Sequence, residues 1–559
     1  MIRKIITSIF LLCLMLPVYS QNSQERVITG TVLESGSDEP LPGASVVVSG
    51  TRNGTYADAN GSFSIKTDQK NPVLKVSYIG FVDMSVKVDG RNNLTVRLQP
   101  DSNLLDEMVV IGYAEKKKEN LLGAVSTAVV DDADMRALAS AELLLQGKMA
   151  GVMMTQTSAQ PGSTSSEIRV RGITSIDNNN SPLVIIDGVE SNMDAINPKD
   201  IESVTVLKDA SSAAIYGARA AAGVIIITSK QGRRGMKINY SNSFSLQMPT
   251  HLPDVINDPV QYIDIANEAF LNSGLTKKYS DTARKEWEEG GTIIRTPVDW
   301  KELIYRNGFM QDHFVNMSGA GDRYDYAVSV GYMDQKGVVA FTKANQFTYK
   351  TKVNVHFWNK KLTLGANISG KILNSHEAQA TSSLVHRYMQ NRPILFFKST
   401  EGGRNIYGAS AAFYAIEELG GGNDKDYNEL NMIYTAKVKP VKGLQFTVNY
   451  SRSQRKTAQT KYIPYYEQAS NAEVTIGTFK RSELTKANNN YSRNLFNAVG
   501  QYNLSVKNHN IDILAGFETI ETFNDNYSVH GYDLSKNEPI VDLLDPITVT
   551  VDASKNEYA

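Results

Sequence analysis

The chain has 559 residues, 41% hydrophobic and 21% charged, a balance that excludes a disordered chain and leaves room for several domains. Lys and Arg number 58 against 59 Asp and Glu, so no excess of charge points to nucleic acid as a partner. One cysteine excludes a disulfide framework, and 27 tyrosines against 3 tryptophans fit either ordinary packing or the aromatic girdles of a membrane β-protein.

Arg3 and Lys4, the apolar run from Ile5 to Leu16, and Val18 and Ser20 ahead of Gln21 read as a secretory signal peptide over residues 1–20. The cysteine, Cys13, lies inside that run behind Leu12, which is not the small residue a lipoprotein site needs. Cleavage leaves a cysteine-free chain that suits an oxidising compartment. No later apolar run approaches the roughly 20 residues of a membrane helix, so a spanning chain must cross as a β-barrel.

Residues 27–100 alternate in short stretches broken by turn chemistry, which predicts a small β-sandwich of about seven strands. Tight turns with positive φ are expected at Asn53-Gly54 and Asn60-Gly61. Asp58, Asn60 and Gly61 lack the remaining ligands of a calcium loop, so a hairpin turn is favoured there, and no metal or cofactor site is expected. Next, LDEMVVIGY at 105–113 sets Asp106 and Glu107 before four apolar residues, Met108, Val109, Val110 and Ile111, closed by Gly112. Such an isolated extended run suits addition to another protein's sheet edge. Lys116, Lys117 and Lys118 read as a solvated linker turn.

Residues 114–234 mix helix and strand. A helix is expected at 141–149, strands at 167–172 and 183–186, with Asp187-Gly188 closing the second. Pro198 and Asp200 start a helical turn, 204–207 forms a strand, 210–216 a helix stopped by Gly217, and 224–228 a buried strand. Gly217 to Gly223 lacks the Gly-Lys-Ser/Thr ending of a phosphate-binding loop.

The segments LQGKMAGV (145–152), IRVRG (168–172), PLVIIDGV (182–189) and the run 197–230 resemble the plug domain of TonB-dependent outer-membrane transporters of the SusC/RagA branch. Residues 27–100 resemble the carboxypeptidase-regulatory-like extension of that branch, and 105–113 its TonB box. Ala222 departs from the Asn common in the family at that place. The resemblance implies that Asp106 to Gly112 bind TonB, which draws on ExbB, ExbD and the inner-membrane proton-motive force. It also implies a SusD-like surface lipoprotein over the outer mouth, an oligosaccharide or, less expected, a peptide as cargo, and no enzymatic activity. Arg169 and Arg171, flanking Val170 in a plug strand, are candidates for plug-to-barrel ion pairs, with a plain surface role as the alternative.

Beyond Gly235 the chain reads as long amphipathic strands. Tyr324, Tyr326, Val328, Val330 and Tyr332 alternate with Asp325, Ala327, Ser329 and Gly331, one face for lipid and the other for water. The same period turns Lys350 and Lys352 to the lumen, away from Tyr349, Val353 and Val355. Nine strands are expected, near 237–247, 311–318, 323–333, 346–357, 362–372, 429–439, 444–456, 491–506 and 511–523. Short turns and long links alternate between them, as periplasmic turns and extracellular loops do, and the first long link carries a helix signal at Asp258-Pro259. Residues 235–559 thus hold about nine or ten of the roughly 22 strands of such a barrel, and the polar sequence up to Ala559 reads as loop. A fragment, a truncated frame or half of a split gene is expected. The function expected is TonB-dependent import across the outer membrane. The alternatives are a ligand-responsive signal receptor and a non-transporting fragment.

Overall fold

The computed structural model describes residues 26–558 apart from 36–37, 50, 52, 70, 79–80, 82, 100–107, 112–113, 118–124, 130–140, 146, 157, 163–165, 171, 173–180, 291–296, 379–389, 396, 402–403, 470–477 and 507–508. The expected signal peptide lies outside the described residues. The chain divides into two units, residues 1–109 with 117–120, and residues 110–116 with 121–559.

In the first unit β1 (Arg26–Glu34), β2 (Ser45–Val48), β3 (Gly54–Tyr56), β4 (Ser62–Thr67), β5 (Val73–Ser77), β6 (Met84–Lys87) and β7 (Asn93–Leu98) form two sheets, β4-β1-β7 and β3-β2-β5-β6. Period-two alternation builds the core: in β7, Leu94, Val96 and Leu98 are buried while Asn93, Thr95 and Arg97 are exposed. Ile28 and Val32 from one sheet meet Val46, Leu74 and Val76 from the other. A Cβ at Gly30 would overlap the Leu94 carbonyl oxygen and the Phe63 ring, so this close approach requires glycine. Gly61 takes the expected positive φ, 72°, and Asp58 Oδ1 accepts from the Asn60 and Ser62 amides (2.9 and 2.8 Å), which commits that carboxylate to the turn. Asn53-Gly54 differs from expectation: Gly54 opens β3 without positive φ, and the preceding link is closed by Thr51 Oγ1, which donates to Val48 O (2.9 Å) and accepts from Asn53 N (3.1 Å).

β8 (Met108–Ile111) and β9 (Ala114–Lys117) make a two-stranded sheet. The second unit then opens with β10 (Val125–Val129), β11 (Val152–Gln156), β12 (Ser166–Val170), β13 (Leu183–Ile186), β14 (Val189–Glu190), β15 (Ile201–Leu207) and β16 (Val224–Ser229). Five of these form one sheet in the order β10-β15-β16-β13-β14, and β11 pairs with β12. Val224, Ile225, Ile226 and Ile227 are all buried, as a central strand covered on both faces requires. Two expected helices are shorter: 141–149 contains a 3₁₀ turn at Ala141–Leu145, and the 210–216 helix is α-helical only over Ala210–Ala213 before a 3₁₀ stretch that kinks at Gly217 (φ 65°).

The rest of this unit holds β17 (Gly235–Gln247), β18 (Gly308–Ala320), β19 (Tyr324–Lys336), β20 (Lys343–Phe357), β21 (Leu362–Glu377), β22 (Lys398–Glu401), β23 (Arg404–Gly408), β24 (Gly422–Val438), β25 (Leu444–Ile463), β26 (Tyr466–Ala469), β27 (Thr478–Lys480), β28 (Glu483–Val506), β29 (His509–Tyr532) and β30 (Thr550–Tyr558). Ten of them form one antiparallel sheet in chain order from β17 to β30, and β22, β23, β26 and β27 form a second sheet outside it. The ten-stranded sheet is two-faced. Met236, Ile238, Tyr240, Phe244 and Leu246 of β17 are exposed on one face, with Val330, Tyr332, Phe446, Val448 and Tyr450 further along, while Ala327, Ser329, Met333, Lys350 and Thr447 are buried on the other. No described helix is long and apolar enough to cross a membrane.

All nine expected strands are present, and several run further, β28 and β29 to 24 residues each. The stretch read as terminal loop is a tenth strand: β30 has little apolar pattern, but β29 offers it a ladder from Thr522↔Tyr558 to His530↔Thr550. The described parts of two long links are folded. Asp258 and Ser280 cap helices Pro259–Asn272 and Asp281–Glu289, and Trp300 and Ile304 pack with Ala378, Leu395 and Phe413 from another link.

Candidate functional site

The site lies where loops of the five-stranded sheet meet the inner face of the ten-stranded one. Asp187 and Gly188 join β13 to β14 in a two-residue turn with φ of 49° and 88°, a conformation that Asp tolerates and Gly favours. The turn aims the Asp187 carboxylate at the wall. Oδ2 accepts from Ser229 Oγ (2.5 Å) and Asn367 Nδ2 (2.8 Å), and Oδ1 from Ser229 N (3.1 Å) and Lys352 Nζ (3.2 Å). Lys350 Nζ stands 3.6 Å away, with both side chains under 10% exposed, at 6% and 8%. Burial works to raise the Asp187 carboxyl, but Lys352, Lys350 and Ser229 outweigh it and hold it well below the usual carboxylate range.

Two further pairs and a four-residue network surround this cluster. Lys199 Nζ meets Asp312 Oδ2 of β18 at 2.5 Å and lies over the Phe314 ring. Lys371 of β21 donates to Asp194 Oδ2 (3.0 Å) and Asp194 O (3.1 Å) and lies over the Tyr427 ring. Glu190 Oε2 is shared by Arg493 of β28 (2.6 Å) and Arg219 (2.8 Å), and Arg219 reaches on to Glu518 of β29 (2.6 Å). Burial raises the buried Asp200 carboxyl against the opposing pull of Lys350, Ser329 and Lys230. Asn197 adds a bond to Thr348 Oγ1 (3.0 Å). Beside Asp187 a cavity of about 170 Å³ opens between Gly188, Thr228 and Gln231 on one side and Lys352, Thr435 and Asn449 on the other. The arrangement is a set of ion pairs, buried where Asp187 meets Lys350 and Lys352 and where Lys199 meets Asp312, and partly exposed at Asp194, Glu190 and Arg219; rupture of the buried ones is costly because it leaves a charge behind.

Of the residues expected from sequence, Met108–Ile111 form β8, while Asp106, Glu107 and Gly112 lie outside the described residues. Arg169 donates to Glu167 Oε1 of its own strand (2.6 Å), and Arg171 lies outside the described residues. Sequence reasoning passed over Asp187, Glu190, Asp194, Lys199 and Arg219. The available signal was on the opposite wall: Lys350 and Lys352, turned inward by the strand period, each require an anion.

Residues 28–110 match the CarboxypepD_reg-like domain family and residues 117–224 the TonB-dependent Receptor Plug Domain family. The chain is 29% identical over 537 residues to TonB-dependent receptor P3 of Formosa agariphila, covering 92% of this chain and 50% of that protein. It is 33% identical over 370 residues to TonB-dependent receptor SusC of Bacteroides thetaiotaomicron, covering 64% and 35%. The fold is similar to the RagAB peptide importer in its open-open state, with a TM-score of 0.64 at 20% identity, covering 80% of this chain and 53% of the other. The chain thus spans about half the length, or less, of the curated relatives it matches. With a carboxypeptidase-regulatory-like sandwich, a plug and a two-faced ten-stranded sheet in that order, the chain is similar to the SusC/RagA-type TonB-dependent receptors of the outer membrane.

Proposed function

We propose that the protein serves TonB-dependent import of a bulky nutrient across the outer membrane, with an oligosaccharide or a peptide as cargo and a SusD-like lipoprotein over the outer mouth. The observation that carries this reading is a plug pinned to the inner wall by buried ion pairs at Asp187 and Lys199, with a strand-forming segment directly upstream. The likeness in fold to a structure described as a peptide importer supports a peptide among the cargo classes named, and the likeness to TonB-dependent receptors supports TonB dependence.

Residues 106–112 are the TonB contact in this reading. Among the described residues β8 is engaged by β9 on one edge only, so TonB adds to its other edge or displaces β9. Each main-chain hydrogen bond contributes about 0.5–1.5 kcal/mol, which makes the contact reversible. Deleting residues 106–112 in the host should abolish uptake and leave ligand capture at the cell surface unchanged. Uptake that survives the deletion overturns the assignment.

A further inference from the structure

We propose that the periplasmic rim of the ten-stranded sheet is a docking surface for anionic phospholipid headgroups of the inner leaflet. The inference rests on the orientation of the sheet and is independent of the cargo. The three described short turns, at 321–323, 358–361 and 439–443, all lie at one end of the strands, the end where short connections mark the periplasmic side. They carry Arg323, Lys360, Lys361, Lys439 and Lys442 against one acidic residue, Asp322, and Arg234 stands beside them just before β17. All six cations are exposed, and among the described residues none is paired with a carboxylate.

Charge alone describes any solvated rim; the second observation is apolar. Trp358 is 75% exposed, Val441 61% and Tyr324 52%, all at the same end. They continue the outward apolar face through Phe357, Leu364 and Phe446. Trp358, Asn359 and Lys360 have φ of 47°, 51° and 63°, three successive left-handed non-glycine residues, a conformation L-residues adopt reluctantly. The turn is closed by Lys361 N donating to Trp358 O (3.1 Å), and the neighbouring turn is tied to it by Lys439 N donating to Lys361 O (2.7 Å). Tryptophan belongs at the depth of the headgroups, and cations just beyond the apolar band meet headgroup phosphates there. A soluble acidic partner would call for the cations but not for an indole and an isopropyl group continuous with the lipid-facing band.

The test uses the whole receptor, purified and reconstituted in phosphatidylethanolamine vesicles with and without phosphatidylglycerol. The wild type should retain phosphatidylglycerol over phosphatidylethanolamine, and the enrichment should fall with salt. Changing Lys360, Lys361, Lys439 and Lys442 together to Gln should lose that enrichment, about five-fold for each cation removed, while the fourfold Arg variant keeps it. Equal retention by the Gln variant, or equal loss in the Arg variant, overturns the proposal. So does a wild type that shows no salt-sensitive enrichment, a reading that needs no variant to fold. Binding of solubilised peptidoglycan fragments with indifference to phosphatidylglycerol also overturns it, assigning the rim to the cell wall.

Discussion

Asp187 is a left-handed residue whose carboxylate is shared between Ser229, Asn367 and two lysines. Asp187→Asn keeps a side chain that tolerates the turn but leaves Lys352 buried without its anion and Lys350 with Asp200 as its remaining carboxyl partner. Breaking a buried pair in this way costs about 3–5 kcal/mol, so the plug of the variant should be cut by protease at lower denaturant than the wild type. Adding Lys352→Met to that variant should return part of the loss; a variant as resistant as the wild type would show that the cluster does not hold the plug. Acid gives a second reading. The Asp187 carboxyl lies below its unfolded value, so its contribution is complete above the ordinary carboxylate pKa of about 4 and is lost only as the pH falls through the lower folded value. Asp200, whose carboxyl is raised, has the opposite sign and favours the folded plug as protons are added. Protease resistance of the plug should therefore persist from neutral pH down to about pH 5 and fail in stronger acid. Lys350 and Lys352 were legible on the lumen face from strand period alone. Their anion was not, because Asp187 lies more than 160 residues away in sequence (|i−j| = 165 for Lys352) and reads there only as a turn residue. Arg169 shows the converse: alternation made it a candidate for the wall, while Glu167, on the same face two residues earlier, takes its guanidinium.

At the level of elements, the order β10-β15-β16-β13-β14 puts β10 at an edge, held by five residue pairs from Val125↔Leu207 to Val129↔Ser203. It is also the first described strand of the five-stranded sheet after residues 106–112, the proposed TonB contact. Force applied at residues 106–112 would reach this edge before the strands anchored through Asp187, Asp194 and Lys199, so β10 should peel from β15 while the rest stays seated. Thr127 and Thr205 face each other across that ladder, with hydroxyl oxygens 3.2 Å apart. Cysteines at both positions fall within the Cα separation of paired strands that a disulfide spans. The oxidised double variant should bind ligand yet fail to import it, and a reductant should restore uptake; import by the locked form would exclude peeling of β10 as the opening step. The sequence made the central strands of both sheets plain because buried β-branched runs and two-residue alternation are local signals. β30 was illegible for the same reason: Thr550–Tyr558 is polar, and only the ladder of β29 holds it in a strand.

For the whole molecule, the two faces of the ten-stranded sheet pose opposite requirements at neighbouring positions. Val448 is exposed on the outward face among Phe446 and Tyr450. Thr447, one residue earlier on β25, is buried on the inward face, lines the 170 Å³ cavity and pairs across the ladder with Lys437 of β24. If the outward face meets hydrocarbon, a charge at Val448 lies within the bilayer and a charge at Thr447 lies in a polar interior beside a cation. Val448→Lys should then cost about 2–4 kcal/mol if the site is near the midplane, whereas Thr447→Glu, with Lys437 opposite and room in the cavity, should cost under about 1 kcal/mol. Unfolding of the receptor by guanidinium from lipid vesicles measures both. A soluble sheet would give the reverse order, because an exposed lysine in water is nearly neutral and a carboxylate forced into a packed core is not. The ranking of two adjacent substitutions therefore tests the assignment of the outward face to lipid, on which both the import reading and the periplasmic docking surface depend.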